Sequence, residues 1–274
     1  MKKGEACIYM SNKPFVLLQA ALTPSEIIAE NNPICIYIDA IRASATVVSF
    51  FDMGVKQLRL CEDEEKILAE DSSIDRDRYL ICAEDVPGDR APMADCSPSV
   101  IGVRAMNMLK DRMILFHTTN GTRGILQLYS KGIHDIYVGT VLNMDAVVKR
   151  VVGRAIKEER PICIVDSGRY DCRIATLDDA YCTAKLASRI IEMLKEKNCP
   201  YELMDPVKIC LHLLNGFENT FEAYKASSTA IKCAAHISTE DVAMCASENI
   251  SKFVPYVSSI DPYGCVIIDA DIEN

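Results

Sequence analysis

The segment that joins an apolar run at 113–116 to a stretch of helical periodicity has residue types that suit oxyanion binding. It contains a histidine, three threonines, an amide, a glycine and an arginine: His117, Thr118, Thr119, Asn120, Gly121, Thr122 and Arg123. Hydroxyl, amide and guanidinium groups donate hydrogen bonds, and a helix start adds backbone N–H groups and a positive dipole end. We therefore predict a phosphate or similar anion here, with capping of the helix by Thr119 or Asn120 as the alternative.

Asp39 directly follows the apolar run 35–38, and Arg42, Ser44 and Thr46 come shortly after it. A carboxylate at the end of a buried strand could hold Mg²⁺, while a nearby guanidinium could bind a substrate oxyanion through two hydrogen bonds. The alternative is an aspartate that caps the next helix and an arginine on the surface. We take Asp39 and Arg42 as candidate catalytic residues and the two hydroxyls as candidate substrate ligands.

Glu84 occupies the same position after another apolar run, and a segment with proline and glycine follows it. That composition is typical of an ordered loop, which continues to the next helical pattern. We predict that Glu84 is both a catalytic residue and a metal ligand, and that Arg90 and Ser97 bind substrate. Solvated acids on a surface loop are the alternative.

A further polar segment, 166–171, follows an apolar run and includes Gly168 and Arg169, which are candidate substrate ligands. Asp178 and Asp179 come shortly after it, at the start of a long helical pattern. The helix dipole alone would stabilise carboxylates at that position. The alternative is that one of the two aspartates contributes to a metal site.

Together the four segments predict a magnesium site with cationic substrate ligands beside it. Mg²⁺ is a hard cation that prefers oxygen ligands. The candidate metal ligands are carboxylates from three of the segments: Asp39, Glu84, Asp178 and Asp179. The candidate cations that would hold the substrate are Arg42, Arg90, Arg123 and Arg169, and Arg123 is, like Arg42, also a candidate catalytic residue.

Short apolar runs alternate with longer amphipathic stretches from about residue 34, which is typical of βα units. The runs predict strands at 34–38, 55–60, 79–83, 113–116, 136–138, 162–165 and 265–268. Helical periodicity is present at 43–51, 98–110, 121–129, 144–157, 177–195 and, with a break near 215–216, at 207–232. The pattern favours an α/β fold with a mostly parallel or mixed sheet and helices on both faces. In a parallel sheet the polar segments would converge at the carboxyl edge.

Three polar residues are predicted to cap helices: Ser97 before Pro98, Asn143, and Thr176. The charge run 62–65 predicts another helix start. Prolines interrupt the pattern near 197–206, which predicts a boundary between two α/β subdomains inside one catalytic unit, 1–274.

The composition restricts the class of protein. The chain has 274 residues, 49% of them hydrophobic, and a net charge of −9, which disfavours nucleic-acid binding. No apolar run approaches the roughly 20 residues that span a bilayer, and a signal-peptide pattern is lacking, so we expect a cytoplasmic protein. Its 13 cysteines are scattered singly, which favours reduced, buried thiols over a disulfide framework.

Other phosphate chemistries fit these residues less well. The sequence has no GxxxxGK[ST] segment, which excludes a Walker-type nucleotide site. Cys163 and Arg169 have the spacing of a cysteine-dependent phosphatase loop, but a thiol inside a strand would be inert. Cys96 lies closer to a predicted helix start and is the other candidate nucleophile. His117 could donate a proton, although a packed histidine at a strand end is the simpler interpretation.

These segments, in this order, resemble those of the 2-phosphosulfolactate phosphatase family, the ComB-like proteins. The family's Thr-Thr-Asn-Gly-Thr-Arg motif is unchanged at 118–123. A second family motif, an Asp followed by two hydrophobic residues and Arg-Ala-Ser/Thr, is similar to 39–46. Its later Gly-Arg and acidic pair resemble 168–169 and 178–179, and Asp241 with 252–255 is a further similarity. The resemblance covers roughly residues 34–257.

Two family motifs differ in this chain. Gly-Gly-Glu-Arg corresponds to 82–85, which keeps Glu84 but lacks the adjacent arginine, for which Arg90 could substitute. Gly-Asn-Ser-Pro corresponds to 95–98. Both differences lie in a segment that is expected to line the pocket, so they concern the substrate more than the reaction.

The resemblance implies Mg²⁺-dependent hydrolysis of the phosphate monoester of a small anionic 2-hydroxy acid, in the type case 2-phosphosulfolactate on the way to coenzyme M. It also implies a homodimer. Residues 118–122 would cradle the phosphate, and attack would come from water or from a side chain, with Asp39 the first to test. Two other hypotheses remain: a non-catalytic protein that binds such a metabolite, and a cysteine-dependent phosphatase that uses Cys163 or Cys96.

Overall fold

The structure is a computed structural model that describes residues 15–86, 88–107 and 109–273. The strands in these ranges are β1 (Val16–Ala21), β2 (Ile34–Ile38), β3 (Gln57–Leu60), β4 (Tyr79–Ala83), β5 (Met113–His117), β6 (Ile136–Val138), β7 (Ile162–Asp166), β8 (Tyr201–Leu203), β9 (Phe253–Ile260) and β10 (Val266–Ile272). The α-helices are α1 (Ala43–Asp52), α2 (Glu64–Glu70), α3 (Val100–Ala105), α4 (Gly121–Ser130), α5 (Met144–Glu158), α6 (Leu177–Glu196), α7 (Asp205–His212), α8 (Thr220–Lys225), α9 (Ser228–Lys232) and α10 (Thr239–Cys245).

The strands of the described ranges form one mixed sheet in the order β4-β5-β3-β10-β9-β6-β2-β7-β1-β8. β4, β5 and β3 are parallel to one another, and so are β6, β2, β7, β1 and β8. The antiparallel pair β9–β10 lies between these two blocks and pairs antiparallel with both β3 and β6. The two parallel blocks therefore run in opposite directions, and the sheet is α/β and mixed.

The opposite direction of the two blocks means that the polar segments cannot meet at the one shared carboxyl edge that the sequence predicted. In a flat sheet β5 and β2 would end at opposite edges, so a shared carboxyl edge does not bring their loops together. Five strand-to-strand steps separate the two strands, and the usual twist of about 20–25° per step turns β2 by roughly 100–125° relative to β5. The ends do meet: the Tyr37 hydroxyl in β2 lies 3.5 Å from the carbonyl oxygen of Asn120, which follows β5.

Alternate residues of β2 point into two different cores, as expected for a strand that is covered on both faces. Ile36 and Ile38 pack with apolar residues of α5 and α6. Tyr37 points the other way, into a core that holds Phe50 of α1 and Phe116 of β5. Because both parallel blocks contribute to this second core, it fixes the loops of one block against those of the other.

Most predicted elements are present, with changes at their ends. The strands at 34–38, 79–83 and 136–138 have the predicted bounds, and the charge run at 62–65 begins α2 with Asp63 as its cap. The capping prediction for Ser97 was wrong: α3 starts at Val100, and the Ser99 hydroxyl accepts the N–H of Gly102. Asn143 and Thr176 do occupy helix N-cap positions, but neither side chain makes a capping hydrogen bond there.

Three strands and one helix were not predicted: β1, β8, β9 and α10. The predicted helix at 207–232 is divided into α7, α8 and α9. The subdomain boundary near 197–206 stays a prediction, and β8 of that segment pairs with β1.

Within the described ranges, every helix is too short or too polar to cross a membrane. The described cysteines all carry free thiols, and all but Cys96 are buried.

Candidate active site

Loops from both parallel blocks line one cavity. Its walls come from the ends of β2, β4, β5 and β7, from the start of α6, and from the region of α9. The lining residues of the described ranges are Asp39, Ile41, Arg42, Ala43, Glu84, Gly88, Pro98, Thr118, Thr119, Asn120, Gly168, Arg169, Thr176, Asp178, Asp179, Thr229, Cys233 and Ile237. All four candidate metal ligands are among them.

Asp179, in the first turn of α6, connects the loops that follow β2 and β7. Its Oδ1 accepts the backbone N–H of Ala40 at 2.8 Å, and its Oδ2 accepts that of Gly168 at 2.9 Å. Gly168 has a φ of +66°, and a Cβ there would lie 2.6 Å from the carbonyl oxygen of Ile174. Only glycine therefore fits where this loop turns towards the carboxylate.

Asp39 accepts hydrogen bonds from the start of α1 and from the loop after β7. Its Oδ1 accepts the backbone N–H of Ala43 at 3.1 Å, and the Ser167 hydroxyl donates to its Oδ2 at 3.3 Å. Burial, opposed by the bond from Ala43 and assisted by the charges of Glu84 and Asp178, raises the pKa of Asp39 to about 7. Asp39 is thus close enough to two other acids for their charges to affect its ionisation.

Glu84 joins the loops after β4 and β5. Its Oε1 accepts both the backbone N–H and the hydroxyl of Thr119, at 3.1 and 2.9 Å. Its Oε2 accepts the N–H of Gly88 at 3.0 Å. The Asn120 amide donates to the Thr119 hydroxyl at 3.2 Å, so the start of α4 is held directly by the carboxylate.

Thr118 and Thr122 bind each other at the first turn of α4. The N–H of each donates to the hydroxyl of the other at 3.1 Å. Gly121 begins the helix, and a Cβ there would lie 2.5 Å from the Ala43 Cβ and 2.8 Å from the Asp39 Oδ2. The glycine therefore allows the positive end of α4 to approach the acidic loop of β2.

Arg42 is 4% exposed and is held by partners within the protein. Its Nη1 donates to Asp241 Oδ2 at 2.9 Å, its Nη2 donates to the carbonyl of Gly88 at 3.2 Å, and Glu84 is 4.0 Å away. Arg169, on the other side of the cavity, is half-buried and donates to the Ser228 carbonyl at 2.9 Å and to the Cys233 sulfur at 3.4 Å. Of the two guanidiniums among the described lining residues, Arg42 is the one paired with a described carboxylate.

The α9 region closes the cavity on the side of Asp178. The Thr229 hydroxyl donates to Asp178 Oδ1 at 3.0 Å, and Cys233 and Ile237 continue the wall. The enclosed volume is only about 30 Å³, room for about two water molecules. A phosphorylated acid would therefore enter only if a wall moved.

Among the described residues that line the cavity, four are acidic and two are arginines. Burial raises the pKa of Asp178, and burial together with the charges of Asp178 and Asp39 raises that of Asp179 well above its usual value. Within 15–86, 88–107 and 109–273, no three His, Cys, Asp or Glu side chains lie close enough together to hold a metal ion by themselves. The donors are nevertheless all oxygens, and a carboxylate oxygen that accepts one hydrogen bond, such as Glu84 Oε2 or either oxygen of Asp179, retains a second lone pair.

Several candidate ligands do not line the cavity in the part of the chain that the structure describes. Arg123 pairs with Asp171 near the surface, exposed Arg90 binds the carbonyl of Ala94, and Ser97 is half-buried outside the wall. The hydroxyls of two buried helical residues are used within the fold: Ser44 accepts the N–H of Asp39, and Thr46 donates to the carbonyls of Arg42 and Pro98. Gly121 and Thr122 contribute packing and capping, while Thr118, Thr119, Asn120 and Gly168 reach the cavity.

The candidate cysteine nucleophiles are placed elsewhere. Cys163 lies inside β7, and burial raises its pKa well above the usual value. Cys96 lies beside Cys82, with which it forms a parallel β-bridge. Neither is among the described residues that line the cavity. His117 also faces away, with its Nδ1 2.5 Å from Glu64 Oε2.

The α9 wall was not anticipated from the sequence. Thr229, Cys233 and Ile237 lie in a short helix and the turns after it, where no motif distinguishes them from ordinary core residues. The resemblance to the family pattern pointed to Asp241 as a residue of interest. Its pairing with Arg42 could not be predicted, because the two residues are 199 positions apart in the sequence.

Comparison with known proteins gives a consistent result. The family model for 2-phosphosulpholactate phosphatase matches residues 19–259. The chain is 22% identical over 228 residues to a "Probable 2-phosphosulfolactate phosphatase" of Clostridium beijerinckii, covering 82% of this chain and 88% of that protein. Proteins of the same name from Caldanaerobacter subterraneus and Thermus thermophilus are each 24% identical, over 80% and 87% of this chain and 86% and 93% of theirs.

Proposed function

This chain belongs to the 2-phosphosulpholactate phosphatase family and is a phosphoric monoester hydrolase, and we propose that it converts 2-phosphosulfolactate to sulfolactate and phosphate with Mg²⁺ as cofactor. The observation that carries the proposal is the meeting of Asp39, Glu84 and Asp178 with the Thr118–Asn120 loop around one cavity. We place the enzyme in the cytoplasm, where its many free thiols would stay reduced. Its product would enter coenzyme M synthesis, as in the type case of the family.

The charge of the cavity supports a divalent cation. Four carboxylates line it, against the guanidiniums of Arg42 and Arg169, and Asp241 already neutralises Arg42. The substrate carries phosphate, carboxylate and sulfonate groups, and each of the cavity's acids that ionises would repel it. A bound cation would offset this repulsion.

The donor set fits Mg²⁺ in particular. This ion usually takes one or two protein carboxylates and completes its shell with waters and substrate phosphate oxygens, so a site of three protein ligands is not required. Asp39, whose ionisation is affected by both Glu84 and Asp178, would be the central ligand, and one of these acids would be the second. Bound Mg²⁺ would withdraw charge from the phosphoryl oxygens.

The protein's own groups would orient the substrate. The start of α4, held by Glu84 through Thr119, presents the positive end of a helix to the cavity, which favours the phosphate. Arg169 would bind one of the acid groups, since its hydrogen bonds in the protein go to a carbonyl and a thiol. The α9 wall would exclude water once the substrate is in place.

Phosphate release from 2-phosphosulfolactate and from a panel of other 2-phosphorylated acids tests the proposal. We expect release that requires Mg²⁺, stops with EDTA, and falls by about a hundredfold or more in Asp39→Asn and Glu84→Gln. Asp85→Asn is the matched control, because Asp85 is exposed and adjacent to Glu84.

Two results would contradict the proposal in different ways. Release that resists EDTA but is abolished by iodoacetamide would indicate a cysteine nucleophile. A Glu84→Gln protein that binds the phosphorylated acid as tightly as the wild type, with no turnover by either protein, would indicate a binding protein.

A further inference from the structure

Cys61 and Cys265 stand opposite each other at the junction of β3 and β10. Cys61 directly follows β3, Cys265 directly precedes β10, and the register Leu60↔Val266 makes the two cysteines the next opposed pair. The Cys61 N–H donates to the Phe116 carbonyl at 3.1 Å, and the Cys265 N–H donates to Asp261 Oδ1 at 3.0 Å. The two N–H groups thus turn away from each other, as in a non-hydrogen-bonded antiparallel pair.

This type of pair has the spacing that a disulfide requires. Opposed residues at such positions have Cα atoms about 4.5 Å apart. Disulfides span Cα separations of about 4.4–6.8 Å. Each thiol affects the pKa of the other, so the two sulfurs are neighbours, while the Cys61 thiol donates to the Phe116 carbonyl at 3.9 Å. The pair could therefore be bridged without moving the strands.

The surroundings distinguish the two sulfurs. The neighbouring Cys61 thiol, assisted by the charge of Arg59, lowers the pKa of Cys265. The neighbouring Cys265 thiol, together with burial, raises the pKa of Cys61. Arg59 is fixed in place by Asp71 and Asp261, at 2.6 and 2.5 Å. Cys265 is thus the sulfur that loses its proton more readily, and Cys61 is the one that retains it.

The pair is accessible from a cleft that is separate from the active-site cavity. Both cysteines line it, although they are only 2% and 1% exposed, so they lie at its floor. The cleft has a volume of about 580 Å³, within the range of small-molecule sites. Lys66, Tyr129 and Tyr263 are among its other lining residues.

We propose that Cys61 and Cys265 form a thiol–disulfide exchange site for a low-molecular-weight disulfide such as oxidised glutathione. The Cys265 thiolate attacks one sulfur of the small disulfide, and the other sulfur leaves as a thiolate that takes the Cys61 proton. The Cys61 sulfur then attacks Cys265 and displaces the second small thiol, which leaves protonated at neutral pH after taking up a proton from solvent. Two protein thiols are oxidised to one disulfide, and the small disulfide is reduced to two thiols.

Tryptic mapping without reduction tests the proposal on the full native protein. Incubation with oxidised glutathione should link peptide 60–66 to peptide 253–274, each of which contains a single cysteine. The linked fraction should rise with the concentration of oxidised glutathione divided by the square of that of reduced glutathione, because each link releases two reduced molecules. The neighbouring pair Cys82 and Cys96, which lies outside the cleft, is an internal comparison, and it would link 79–90 to 91–104.

Matched variants test the order of the steps. Cys61→Ser should stop the reaction at a glutathione adduct on Cys265, whereas Cys265→Ser should leave Cys61 unmodified. Cys82→Ser should form the 60–66 to 253–274 link as the wild type does. The proposal is overturned if the two peptides are recovered as free thiols from oxidised native protein, or if the link forms only after unfolding in urea.

Discussion

The guanidinium of Arg42 is bound to the carboxylate of Asp241, with Nη1 2.9 Å from Oδ2 and both side chains almost fully buried. The second Asp241 oxygen accepts the backbone N–H of Ile101 at 3.1 Å. One acid of α10 thus fixes both a cation of the cavity wall and the first turn of α3. Arg42 is consequently a cation in a fixed position, with little freedom to move towards a ligand.

Asp241→Asn should destabilise the protein, because it leaves the Arg42 charge buried with its next carboxylate, Glu84, 4.0 Å away. Removing one partner of a buried ion pair costs about 3–5 kcal/mol. We also expect kcat to fall, since the guanidinium would shift towards Glu84. Urea unfolding and phosphate release measure the two effects. Asp205→Asn, which breaks the exposed pair with Lys208, should leave both nearly unchanged, and equal losses in the two variants would refute the prediction.

Gly121→Ala should separate α4 from the loop after β2. The added Cβ would lie 2.5 Å from that of Ala43, and neither backbone can yield cheaply. We expect lower stability and lower activity. Gly153→Ala is the matched control: Gly153 is inside α5 with no atom within 4 Å of the added Cβ, so the change should stabilise the protein by about 0.5–1 kcal/mol. The melting temperature should therefore fall in Gly121→Ala and rise in Gly153→Ala.

The sequence predicted the elements of the fold best where a local apolar pattern distinguishes strand from helix. β2, β4 and β6 were found at their predicted bounds because each is a short, nearly continuous apolar run. β1 is also apolar, but such a run has no periodicity that separates strand from helix. β9 ends in exposed residues and lacks a clear pattern. The opposite direction of the two parallel blocks is decided by tertiary pairing with β9 and β10, which no local pattern encodes.

The same limit applies to the site. Residue type and position at the end of a strand or the start of a helix identified Asp39, Glu84 and the pair Asp178 and Asp179, and all four line one cavity, although a shared carboxyl edge does not bring them together. They could not show that Arg123 would pair with Asp171 instead of facing that cavity. Which way a long side chain points depends on partners distant in sequence.

Ionisation of Asp166 should lower the free energy of unfolding as the pH rises. Burial, assisted by the charges of Asp178 and Glu26 and opposed by a hydrogen bond from Thr183, raises its pKa to about 8. In the unfolded chain an aspartate has a pKa of about 3.9. Between these two values the folded state binds the extra proton, so stability falls with rising pH, by at most about 1.4 kcal/mol per unit.

Asp166→Asn should remove that dependence while keeping an acceptor for the Thr183 hydroxyl, which lies 2.5 Å from Oδ1. Urea unfolding at pH 5 and pH 8 should show a smaller loss of stability in the variant than in the wild type. Asp85→Asn, at an exposed position, should follow the wild type. Parallel pH profiles for Asp166→Asn and wild type would mean that Asp166 is ionised in the fold.

Arg169→Gln should raise KM for the phosphorylated substrate more than it lowers kcat, because this guanidinium lines the cavity and pairs with no carboxylate in the described part of the chain. A hydrogen bond to a charged group contributes about 1.5–3 kcal/mol, which corresponds to a rise of roughly tenfold to a hundredfold. Arg169 also holds the α9 wall through Ser228, so a purely structural role must be distinguished. Arg169→Lys keeps the charge and should recover part of the affinity, whereas a structural role predicts equal damage from both variants. Arg173→Gln, at a side chain that is 74% exposed, should leave KM unchanged.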